Sequence, residues 1–246
     1  MELNKFLNEV CPLIKDYGWA YYFAESTQKK GQEKGLDIFS LYFLGRGGVM
    51  GDVDPPMVIA AFGYFNPRVI TQMWTQGRQK INPREAATLY FQCAEIFGEE
   101  HFAGIENLEE FNAACEKVLG AADATSLMLF AGAKAMPLSE NVAGRAMQLI
   151  SILREFRGSA HLLAVKSVGL NTKTAHFLAR PNDFAMFGWG ETDIPEITNR
   201  EPELLAAAEL LTDEIVMPAY SILNDNERKL IVNVMNEISE ILKGEN

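Results

Sequence analysis

The run VAGRAMQLISILREFRGSAHLLAVKSV, residues 142–168, limits the folds open to this chain more than any other stretch. Read at helical spacing, Leu149, Ile152, Leu153, Phe156, Ala160, Leu162 and Leu163 cover most of the circumference. A helix that is apolar all round is a buried one. Yet Arg154, Arg157 and His161 recur at i, i+3 and i+7, so they share one narrow stripe. Guanidinium groups do not sit in an apolar interior without compensation. Either the stripe looks into a polar pocket, or carboxylates such as Glu155, Glu25 or Glu95 neutralise it.

The rest of the chain gives that rod something to be buried in. Its 246 residues are 48% hydrophobic and 22% charged, enough for one large domain or two small ones. Helical signals dominate. Leu3, Phe6, Leu7, Val10, Leu13 and Ile14 mark a first helix, with Pro12 able to kink it. Asp54-Pro55-Pro56 and Asn82-Pro83 read as helix starts. Asn66-Pro67 breaks a helix inside an apolar region. Residues 36–44 read as a strand or a short buried helix. The fold class predicted is mainly α, a multi-helix globular bundle. Residues 1–168 form its helical core and 169–246 a C-terminal helical lobe, or a continuation of the same domain. Residues 181–202, rich in glycine, proline and acids, read as an ordered loop, a lid, or a boundary between lobes.

Several chemistries are excluded. GRGGVMGDVDPP at 45–56 fails the dinucleotide spacing, because Met50 stands where its last glycine belongs, and no G-K-[ST] follows. Arg46 is the one residue there expected to reach a site. The three cysteines are far apart, and no two of the three histidines are four apart, so neither a metal site nor a cofactor is expected. A net charge of −11 argues against a broad nucleic-acid partner. No run is long and apolar enough for a membrane span, and no signal peptide is visible, so a cytoplasmic address is expected.

Two stretches, GDVDPPMVIAAFGYFNPRVI and LREFRGSAHLLAVKSVGL, resemble segments of a bacterial family common in actinobacteria and described as helix-turn-helix. Its F-Y-x-F-x-P-like segment corresponds to Phe62, Tyr64, Phe65, Asn66 and Pro67. Its R-x-x-R-G-D-x-H helix corresponds to Arg154, Arg157, Gly158 and His161, with Ser159 in place of the aspartate. YYFAE at 21–25 is similar to an early Tyr-Phe segment of that family. The resemblance implies a degenerate helix-turn-helix or winged-helix-like lobe in the C-terminal third, near 170–211. Lys166, Lys173, Arg180 and Arg200 would be its basic residues.

The function expected from these residues is binding of a small anionic ligand. Arg154 and Arg157 would grip it, with Asn66, Tyr64, Glu25 and Arg46 on the facing wall. His161 is the candidate catalytic residue, since an imidazole can move a proton near neutrality, as in a lyase, isomerase or hydrolase. The alternative is a transcription regulator with a shortened DNA-binding lobe. The apolar stripe of Leu230, Val234 and Ile238 in a last helix suggests a homodimer.

Overall fold

The computed structural model describes residues 1–244, and among them twelve α-helices and four 3-10 turns leave no strand. Helix α1 spans Leu3–Tyr17, α2 Glu25–Glu33, α3 Ile38–Gly47 and α4 Pro55–Phe62. Then come α5 (Pro67–Gly77), α6 (Pro83–Phe102), α7 (Leu108–Ala121) and α8 (Met128–Lys134). The long run is α9, Val142–Ser167, followed by α10 (Thr172–Ala179), α11 (Arg200–Tyr220) and α12 (Asp225–Gly244). The mainly α expectation holds.

Local chemistry sets the ends of these elements. The side chains of Asn66, Asn82, Asn141 and Asn171 accept a backbone N–H in the first turn of α5, α6, α9 and α10. Asp37 does the same for α3, which settles residues 36–44 as helix. Asp54 does not cap α4: its carboxylate lies 3.9 Å from Arg78 instead. Pro12 and Pro218 lie inside α1 and α11, and neither ends its helix. After α9, Gly169 takes a positive φ of 79° and Leu170 N–H donates to Val165 O, a left-handed stop.

The apolar rod is buried as its pattern requires. Helices α1, α6, α7, α8 and α11 pack around α9, and one apolar cluster runs from Phe6 to Leu242. The closest approach is to α6, where Gly98 meets the backbone of Ala143 and Gly144, and Gly144 meets Glu95; a Cβ at either glycine would collide. Gly48, in the GRGG stretch, is packed in the same manner against the Pro83 backbone, so that stretch is close-packed helix and turn and not a loose connection. Towards its C-terminal end α9 emerges: Leu163 is exposed, and the space beside Gly158 is open, so no second backbone approaches there.

Helix α12 lies on α1 and α7, with Val234 and Ile238 buried and Leu230 partly so. The stripe that suggested a homodimer is therefore occupied within the chain. The region 170–211 departs from the helix-turn-helix expectation. Helices α10 and α11 are separated by two 3-10 turns and irregular chain, where that motif needs a turn of about three or four residues. With no strand among the described residues, no wing exists. Among those residues no helix is long and apolar enough to cross a membrane.

Candidate functional site

A cavity of about 230 Å³ opens where α9 begins to surface. Its floor is the stripe of Arg154, Arg157 and His161, and its walls come from α3, α4, α10, α11 and the loop after α10. Arg46, Tyr64, Arg154, Arg157 and His161 all line it, so five of the seven residues singled out in the sequence meet there. Lys15, His176 and Arg180 join them, with Glu209 as the one acid among the described residues of the wall.

The inner end of the stripe is a buried charge cluster. Arg46 donates through Nε and Nη2 to the two oxygens of Glu155, at 2.7 and 3.0 Å, and through Nη1 to Tyr42 Oη at 2.8 Å. Its guanidinium stands 4.6 Å from the ring centre of Phe62. Tyr22 Oη donates to Glu155 Oε1 at 3.1 Å. Burial pushes the Glu155 carboxyl up, but Arg46 and its other donors outweigh that, and the group is held below its usual range. Arg154 receives less. Its Nη1 touches Glu155 Oε1 and Tyr22 Oη, each at 3.3 Å, and its buried Nε has no partner. One carboxylate thus serves two guanidinium groups, and the second is short of a counter-charge.

The outer end is half open. Arg157 Nη2 donates to Glu209 at 2.9 Å and to Asp213 at 3.3 Å. The Glu209 side chain is 49% exposed, against 6% for Glu155. Thr212 Oγ1 donates to Ala208 O at 2.6 Å, so it must accept from His161 Nδ1–H at 2.9 Å. That bond leaves Nε2 as the lone-pair nitrogen, 3.8 Å from Glu209. Burial pushes the His161 pKa down, only partly offset by Glu209, so the ring is neutral near pH 7. His176 is also pushed down, by burial and then by Arg180. Its Nε2 and Tyr64 Oη are buried with no hydrogen-bond partner.

Two of the residues expected at the site stand elsewhere. Glu25 opens α2 on the surface, 84% exposed, and pairs with Lys29 at 3.0 Å. The 3-10 turn Ala20–Phe23 buries Tyr21 and Tyr22 but carries Glu25 outward, and the acid beside these tyrosines is Glu155. Glu95 accepts from Ser139 Oγ, away from the arginines. Asn66 is a brace: its N–H and side-chain amide donate to the carbonyls of Phe187 and Gly188, both at 2.9 Å, while Trp189 Nε1 donates to Tyr64 O. These bonds satisfy the break between α4 and α5 and hold the loop after α10 against the cavity. Lys15, His176 and Glu209 were missed because only tertiary folding brings their helices here; no local pattern marks them.

The sequence model of a helix-turn-helix family matches residues 9–186, well over half of the chain. The chain belongs to that helix-turn-helix family. No curated protein and no solved structure matches it.

Proposed function

We propose that the protein binds a small anion in this cavity, against the arginine stripe of α9. The observation that carries the reading is the single carboxylate of Glu155 shared between Arg46 and Arg154. A buried guanidinium with an incomplete partner set favours an incoming negative charge. Lys15 and Arg180 also line the wall, where Glu209, the one acid among the described lining residues, is taken by Arg157. His161, with Nδ1–H tied to Thr212 and Nε2 free, is the group able to take a proton from a bound acid or return one.

The test is thermal unfolding against small carboxylates and phosphate, with chloride at matched ionic strength as reference. A ligand that binds only the folded state raises the midpoint. Anion-specific stabilisation that is lost in Arg154→Met is expected; a response equal to that of chloride sinks the reading.

Family membership favours a second reading, a transcription regulator that answers to the same ligand. Its cations are poorly presented: Lys173 lies over the Trp189 ring at 5.4 Å and Arg180 is 3.8 Å from Asp183. A mobility shift with genomic DNA across salt separates the two. Retention that weakens steeply with salt supports the regulator, and no retention at low salt removes it.

A further inference from the structure

We infer that the ligand is a compact aromatic monocarboxylate, a molecule of the benzoate class. The inference rests on the anion-binding reading and names the kind of anion. Charge is the first argument. Glu155 answers Arg46 with both oxygens, and Arg157 has Glu209 and Asp213, which leaves about one guanidinium, Arg154, in want of a partner. One carboxylate meets that need, and a planar fork suits a planar carboxylate. A dianion would bring a second charge towards Glu209, and the other cations of the wall, Lys15 and Arg180, already stand 3.9 Å from Asp16 and 3.8 Å from Asp183.

The walls are the second argument. Around the arginines stand Phe62, Phe65, Leu129, Leu162 and Phe187. Phe187 is stacked on Phe65 at 3.9 Å and on His176 at 3.8 Å, so this side presents ring faces and edges. A flat apolar ring gains by burial against these side chains. Size is the third. About 230 Å³ falls below the roughly 300–1,000 Å³ of pockets for drug-sized ligands. A single substituted ring suits it. Tyr64 and His176, with unpartnered Oη and Nε2, are the polar groups that a substituent on that ring would meet.

Titration calorimetry of the full chain at neutral pH with benzoate, inorganic phosphate and succinate tests this. Benzoate is expected to bind at least about tenfold more tightly than the other two. Arg154→Met is expected to weaken it about ten- to a hundred-fold, the usual reach of a charged hydrogen bond. Glu209→Gln is expected to tighten it by removing the negative charge that lines the cavity wall. Should Arg154→Met unfold, Arg154→Lys keeps the charge, loses the fork and is expected to weaken benzoate as well. Phosphate or succinate binding as tightly as benzoate, and depending on Arg154, overturns the ligand class and leaves the anion site standing. Benzoate binding unchanged in both Arg154 variants, or no binding of any of the three, overturns both.

Discussion

The two ends of the α9 stripe hold the same kinds of groups in opposite circumstances. At the inner end Glu155 is almost sealed and receives four hydrogen bonds, two from Arg46 and one each from Tyr22 and Arg154. At the outer end Glu209 is half exposed and its partner Arg157 is shared with Asp213. Arg154 and Arg157 are one helical turn apart on one face, so the sequence gives them equal standing. Their neighbours do not. The inner pair is a structural commitment, because breaking it strands a buried charge. The outer pair is a contact that solvent can replace.

Substitutions can break that contrast, and the largest effect belongs to the inner end. Arg46→Met leaves Glu155 buried with an incomplete set of donors and is expected to cost about 3–5 kcal/mol in urea unfolding. A cost near that of a surface pair would refute the distinction. The next effect is one of pH. His161 and His176 have pKa values depressed below the usual 6.5 in the folded protein, so the unfolded chain takes up protons first. Stability is then full above that value and falls as pH drops through it towards the folded values; Glu155, also depressed, adds a second loss below the ordinary carboxylate range. Unfolding midpoints from about pH 7.5 to about pH 2 should show both stages, and His176→Gln should shrink the first.

Arg154→Met comes lower on the scale. Glu155 keeps both bonds from Arg46 and the one from Tyr22, so the loss is expected to stay within about 1.5 kcal/mol. The smallest effect is Glu209→Gln, within about 1 kcal/mol, since an exposed pair contributes little. If these two variants proved as damaging as Arg46→Met, the cluster would be a single structural unit and the cavity only its by-product.

Much of the scaffold could be read from the chain. The largely apolar circumference of α9 required burial, and Asn82-Pro83 is a helix start with its capping side chain in place, whereas Asn66, read as a helix break, also caps the start of α5. The stripe was legible too, because i, i+3 and i+7 depend only on helix geometry. Its partners were not. Glu155 follows Arg154 directly, and only the placement of Arg46 on α3 explains why that acid, and not Glu25, is drawn inward. Asn66 carried the right chemistry for a ligand wall, yet its bonds go to a loop more than a hundred residues away. A periodicity fixes which way a side chain faces; it is silent on what arrives opposite.

The glycine contact between α6 and α9 has a consequence for any response to a ligand. Two backbones in direct touch at Gly98 and Gly144 have no side chains between them to compress or slide, so those helices behave as bedrock. Whatever travel follows occupancy must be taken up on the opposite shore, by α11 through Glu209 and Thr212 and by the segment that Trp189 and Asn66 moor.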